Sequence, residues 1–260
     1  MSFCNLRRML LATIVLPPGH ARGLRRVLWV AFALMVVLQT GLTTIARAQT
    51  DRVDAGSFSI EQQGHRVGRE QFSLRKAPAP DGSAFELRSE SVSGDRRVAV
   101  QLTTDSMGSP VRYSLEIREG TRVTVRAGGQ RLRSRFTTQV VRPTGESVRE
   151  YLLVPGLIVL ETDFYHQLEF VLRGRALDVG KAVELTALSL LDNTQRQLRL
   201  LLESREDSVT IAGIVRPAFR WKLDDGAGLV RTLWGDAEGR LLRMTIPSRS
   251  IVVVRDAVPK

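Results

Sequence analysis

A chain of 260 residues with 43% hydrophobic content carries enough apolar surface for a packed core, which excludes a disordered chain. Its formal net charge of +11 points at first to a polyanion partner. Six of the bases, Arg7, Arg8, Arg22, Arg25, Arg26 and Arg47, precede residue 49 with no acid among them, however, and their removal leaves +5. Much of the basicity therefore belongs to the N-terminal segment, and nucleic acid is not an expected partner.

That segment reads as a secretory signal. Arg22, Arg25 and Arg26 precede the apolar run at 27–38, and Ala46-Arg47-Ala48 supplies the small residues of a cleavage site. The expected division is a signal peptide over 1–48 and one exported β-rich domain over 49–260, periplasmic or extracellular. An uncleaved anchor is the alternative, weakened by the polar residues Gln39, Thr40, Thr43 and Thr44. The single cysteine, Cys4, falls in the leader, so the exported part holds its fold by packing without disulfides.

From Ala55 onward the dominant period is two, the spacing of residues on one face of a strand. "SFSIEQQGHRVGREQFSLRK" places Phe58 and Ile60 on one face, turns near Gly64, and returns with Phe72 and Leu74. Later segments such as "RRVAVQLTTD" and "VRYSLEIREG" repeat the theme. Turn-forming clusters separate them: Pro80-Asp81-Gly82, Ser93-Gly94-Asp95, Gly108-Ser109-Pro110, Glu119-Gly120, Gly128-Gly129 and Pro143-Thr144-Gly145. Eight to twelve residues between turns imply hairpin-connected antiparallel strands. The predicted fold is mainly β: one large curved meander, barrel-like or an open spiral, because a curled sheet protects its edges.

The pattern breaks once, at "ETDFYHQLEFVLRGR". Thr162 is placed to cap a helix of about three turns whose inner stripe is Phe164, Leu168 and Val171 or Leu172, with Gly174 to end it. Strands then resume, with Asp192-Asn193, Asp225-Gly226 and "DAEG" at 236–239 as turns; 198–202 reads as strand although it is continuously apolar.

Catalysis in such a chain would most easily recruit histidine. His166 and Glu169 stand three apart on the expected helix, and Tyr165 adds a proton donor, so these three form the candidate polar site for a hydrolase or metal-dependent enzyme. Two ligands do not make a metal site, Asp163 points elsewhere, and His65 has nothing to bring it near, so no cofactor is expected. The favoured reading makes Tyr165 and His166 an interfacial pair, aromatic bodies on the sheet and polar tips bonded to strand ends. No G-x-S-x-G elbow is present. "RAGGQRLRSR" lacks the lysine and following helix of a phosphate loop and reads as a hairpin turn with outward arginines, a surface for anionic lipid or another envelope polyanion. The carboxylate pairs Glu116/Glu119, Asp224/Asp225 and Asp236/Glu238 sit at strand ends and turns.

Three stretches, "GSFSIEQQGHRVGREQFSLR", "VLETDFYHQLEFVLR" and "LWGDAEGRLLRMTIPSRSIVVVR", resemble uncharacterised secreted bacterial families of unknown function. The matching positions are Gly64, Val67, Gly68 and Glu70, then Tyr165 and His166, then Asp236, Gly239, Arg240, Leu241 and Leu242. The resemblance implies a curved antiparallel β-barrel or β-spiral, similar in outline to the periplasmic lipoprotein carriers, and implies no reaction. The expectation is a non-enzymatic envelope protein whose curled sheet binds a hydrophobic or peptide ligand or a partner protein. Phe58, Phe72, Phe136, Phe164 and Trp221 are the candidate ligand wall, and membrane contact comes only through the leader or an anionic surface.

Overall fold

The computed structural model describes residues 52–260, so the secretory segment read over 1–48 lies outside the described residues. The first eight strands are β1 (Arg52–Gln62), β2 (His65–Lys76), β3 (Phe85–Ser93), β4 (Arg96–Thr104), β5 (Pro110–Glu119), β6 (Arg122–Leu132), β7 (Arg135–Arg142) and β8 (Gly145–Leu152). A short β9 (Leu157–Val159), a 3-10 turn at His166–Leu168 and α1 (Glu169–Leu172) follow. Six more strands complete the chain: β10 (Ala182–Ser189), β11 (Thr194–Ile211), β12 (Ile214–Asp224), β13 (Val230–Gly235), β14 (Leu241–Ile246) and β15 (Ile251–Arg255).

All fifteen strands form a single sheet in the order β8-β7-β6-β5-β4-β3-β2-β1-β15-β14-β13-β12-β11-β10-β9. Every neighbouring pair is antiparallel except β9 with β10, and β1 joins the two halves by pairing with both β2 and β15. The period of two drives this: in β2 and β4 alternate positions such as Phe72, Leu74, Val98 and Val100 are buried while those between them are not.

The sheet is not closed by a ladder, yet it is rolled. Its two edge strands, β8 and β9, are consecutive in the chain, joined only by residues 153–156. A link that short spans roughly 17 Å at full extension, so the edges of the sheet lie near one another. The β10–β11 turn closes the gap further, with Arg142 of β7 donating to the Leu191 carbonyl and Asn193 to Ser147 Oγ at 3.4 Å.

Two expectations are corrected. Gly128-Gly129 lies inside β6, and the turn sits at Arg133-Ser134, with Arg133 left-handed at φ 55°. Gly129 is required by packing: a Cβ there would stand 2.4 Å from Cε1 of the Phe136 ring, so the aromatic occupies the space a side chain would fill. The helix is also shorter than three turns. Thr162 makes no cap, and the helical stretch runs only over 166–172. Residues 164–172 are buried on every side, so the segment is an internal plug and not a helix with one solvated face. Enclosure by the rolled sheet replaces the polar outer face that sequence periodicity assumes.

Candidate functional site

Inward positions of three strands carry charges where the alternation calls for apolar side chains. Asp54 shares a face of β1 with Phe58 and Ile60, Glu70 shares a face of β2 with Phe72 and Leu74, and Arg255 follows Val253 on β15. All three are buried. The plug brings His166, Gln167 and Glu169 to meet them, each with no exposed surface. Buried charge of this density demands partners.

Glu70 supplies the plug's missing cap. Its Oε2 accepts the Tyr165 backbone N–H at 2.9 Å and its Oε1 accepts that of His166 at 3.4 Å, while Ser89 Oγ donates to Oε1 at 2.5 Å. A strand carboxylate thus takes the role sequence gives to Thr162. Burial nevertheless raises the Glu70 pKa above the usual carboxylate range, against the lowering effect of His166 and these hydrogen bonds.

At the other end of the plug, Arg173 Nη2 reaches Glu169 Oε2 at 3.3 Å, and Arg255 Nη2 donates to Asp54 Oδ1 at 2.5 Å. The remaining oxygens, Asp54 Oδ2 and Glu169 Oε1, have no protein donor. Burial, followed by the Glu169 charge, pushes the Asp54 pKa up to about 7. A proton on Asp54 neutralises one negative charge where two arginines face three carboxylates.

His166 is built into this layer as an aromatic. Its ring stacks on Phe72 with centroids 3.9 Å apart, Phe72 stacks on Phe58 at 4.8 Å, and the Arg255 guanidinium lies 4.9 Å from the Phe72 centroid. Neither ring nitrogen has a hydrogen-bond partner, and Glu169 Oε2 stands 3.6 Å from Nε2. Burial depresses the imidazole pKa to about 4 despite Glu70 and Asp54, so the ring is neutral at pH 7.

A second carboxylate, Glu161, latches the entry to the plug. It accepts Ser189 Oγ at 2.8 Å and the Leu190 and Leu191 N–H groups at 2.8 and 3.4 Å, and its own N–H donates to Gln167 Oε1 at 2.9 Å. Burial raises its pKa to about 7 even so.

The structure brings His166 and Glu169 together and sets Tyr165 beside Glu70 through its backbone. The strand-end bonds expected of the Tyr165 and His166 tips are not formed by the imidazole, which stacks instead. His65 stays exposed at the start of β2. Among the described residues no group of three or more histidine, cysteine or acidic side chains is placed to hold a metal. Phe58, Phe72, Phe136, Phe164 and Trp221 all lie in the main core, at most 6% exposed. Asp54, Arg255, Glu161 and Gln167 were not singled out by sequence reasoning. The carboxylate pairs at 224/225 and 236/238 serve turn geometry, with Asp225 Oδ1 and Asp236 Oδ1 accepting backbone N–H groups of their own loops.

Outside the roll, a trough of about 690 Å³ crosses the solvent face of β2–β6. Register aligns two rows across it, Gln71-Glu90-Ala99-Glu116-Arg126 and Ser73-Arg88-Gln101-Ser114-Gly128. Small side chains at Ser73, Ala99 and Ser114 make its floor. Arg88, Glu90, Glu116 and Arg126 make its walls, with Glu116 held between Arg118 and Arg126.

Fold and site together define a rolled antiparallel β-sheet protein with an internal helical plug seated on buried carboxylates. No protein-family profile matches the sequence, and no curated protein matches it. Solved structures similar to it include the following two. One is a DUF1089 family protein from Pseudomonas aeruginosa, 12% identical over 69% of this chain and 90% of that chain, with a TM-score of 0.38. The other is a beta-barrel-like protein of domain of unknown function DUF1849 from Brucella abortus, 9% identical over 79% of this chain and 94% of that chain, with a TM-score of 0.47.

Proposed function

We propose that this is an exported, non-enzymatic protein of the cell envelope that binds an extended peptide segment of a partner on the outer face of its rolled sheet. The observation that carries this reading is the trough over β2–β6. Five strands at about 4.8 Å spacing give it a length of roughly 19 Å, matching six extended residues. A floor of small side chains lets a backbone approach the sheet, and walls carrying both signs of charge suit a peptide carrying both. Secretion, and the likeness in outline to lipoprotein carriers, belong to the same proposal. The interior supports a ligand less well, because the aromatic wall candidates pack against one another and against the plug. The enzyme reading of Tyr165, His166 and Glu169 lacks support for a related reason. A general base must touch its substrate, and His166 is sealed on every side with its pKa pushed away from neutrality.

Filling the trough tests the reading. Ala99 and Ser114 point outward and are exposed, so Ala99→Trp and Ser114→Trp are expected to leave the melting temperature unchanged. Peptides selected by display on the exported protein should bind these variants at least tenfold more weakly by fluorescence anisotropy. Selection without enrichment, or peptides indifferent to both substitutions, would overturn it.

A further inference from the structure

The strand register sorts the connections into two ends. One end, the base, holds Arg52, the β2–β3, β4–β5, β6–β7 and β8–β9 connections, and the exit of the plug toward β10: Arg52 pairs with Arg75, Phe85 with both Lys76 and Thr104, and Arg135 with both Leu132 and Leu152. The β11–β12 hairpin leaves the sheet in the same direction, running past Gly235, the last β13 residue, to its turn at Ala212-Gly213.

Large exposed apolar side chains gather at this end. Met107, Leu132, Leu152, Val179, Ile214 and Val215 are each more than half exposed. They stand on five separate connections or strand ends, so they form a ring of tips instead of one continuous patch. Bases stand between them. Arg75, Lys76, Arg133, Lys181 and Arg216 are exposed and have no carboxylate within 4 Å among the described residues. Leu132 and Arg133 are the tip of the "RAGGQRLRSR" run, of whose bases the peptide trough uses only Arg126.

We infer that the base is a docking face for an anionic lipid bilayer, with the apolar tips dipping below the headgroups and the bases meeting lipid phosphates. A protein-binding face gathers its apolar atoms at a centre inside a polar rim, whereas isolated tips interleaved with cations match the layered chemistry of a membrane surface. The chain's own course agrees. The polypeptide enters the described fold at Arg52, at this same end, and the apolar run at 27–38 lies only thirteen residues upstream of it. A precursor held in the membrane through that run keeps Arg52 within roughly 45 Å of the bilayer, the reach of the extended chain between them. The inference rests on export, as the proposed function does, but uses a different surface from the trough.

The test expresses the full chain with its leader, purifies the exported product, reads its N-terminus by mass spectrometry, and measures flotation with vesicles. Vesicles containing 30% phosphatidylglycerol should carry the wild type, and pure phosphatidylcholine vesicles should carry at least tenfold less. Ile214→Glu with Val215→Glu, and separately Lys76→Glu with Arg133→Glu, should each lower flotation at least tenfold. Val67→Glu, near the opposite end, and Ala99→Trp, in the trough, should leave it unchanged. Any leader retained in the product is common to all variants, so the comparison isolates the base. Equal flotation of wild type and base variants would overturn the inference. So would a lipid-free dimer in size-exclusion chromatography that the same base substitutions dissociate, since the face would then belong to a second copy.

Discussion

Acidification through the neutral range is expected to stabilise this protein, and the cause is the carboxyl pair at the foot of the plug. Asp54 titrates near 3.8 in an unfolded chain and at about 7 here, chiefly because it is buried and next because Glu169 faces it. Between those values the native state holds a proton that the unfolded state has released. Stability therefore falls as pH rises from about 4 to about 7 and is level above that. Three units at about 1.4 kcal/mol each set a ceiling of about 4 kcal/mol. Glu161, raised from 4.5 to about 7 by burial, acts in the same direction with a ceiling of about 3 kcal/mol, and Glu70, also raised, adds to it. His166 acts in the opposite sense. Lowered from 6.5 to about 4, it refuses a proton that the unfolded chain accepts, so its contribution rises with pH over that interval and offsets one carboxyl, by about 3 kcal/mol. The balance is a loss of up to about 4 kcal/mol between pH 4.5 and 7.5, which for a fold of this size is a fall in melting temperature on the order of 10 °C. Arg255 and Arg173 are the cations bonded to the pair. Calorimetry from pH 4.5 to 8.5 on the wild type and on Asp54→Asn measures the effect. The asparagine has no carboxyl to ionise, so its curve should be flatter and should lie above the wild type by about pH 7. Parallel curves for the two proteins would refute the raised Asp54 titration.

Two further outcomes separate structural from functional roles. His166→Phe keeps a ring on Phe72 and removes two unpartnered nitrogens, so its stability should lie within about 1 kcal/mol of wild type or above it, with peptide and vesicle binding intact; a loss of either binding with normal folding would return His166 to a functional site. Gly129→Ala drives a Cβ into the Phe136 ring and should cost about 1–3 kcal/mol in urea denaturation, whereas Gly128→Ala, whose nearest neighbour is 3.8 Å away, should cost less than Gly129→Ala.

Several positions singled out in the sequence meet at the plug. Glu70 caps it, and Tyr165 and His166 are its first residues. Gly239 passes so close that a Cβ would lie 2.7 Å from Arg173 Cα. A Cβ at Gly68 would stand 2.8 Å from the Val92 carbonyl oxygen, which holds the β2–β3 pair together above Glu70. Glu70 and Gly239 are thus part of the seat of the internal helix.

The period of two by itself determined the fold class, because side-chain alternation is a property of each strand read alone. The same period held an unread signal: Asp54, Glu70 and Arg255 fall on inward positions, and a charge in that register announces a buried partner. Which partner it meets was decided only by the roll of the sheet. Thirteen consecutive antiparallel pairings bring β1, β2 and β15 around residues 161–173, and contacts separated by about a hundred or two hundred residues, such as Glu70 with Tyr165 and Asp54 with Arg255, have no local trace. The plug's length was misjudged for that reason. Its polar residues look solvated at helical spacing, yet enclosure puts them against strand carboxylates, and only the tertiary structure supplies those carboxylates as cap and counter-charge.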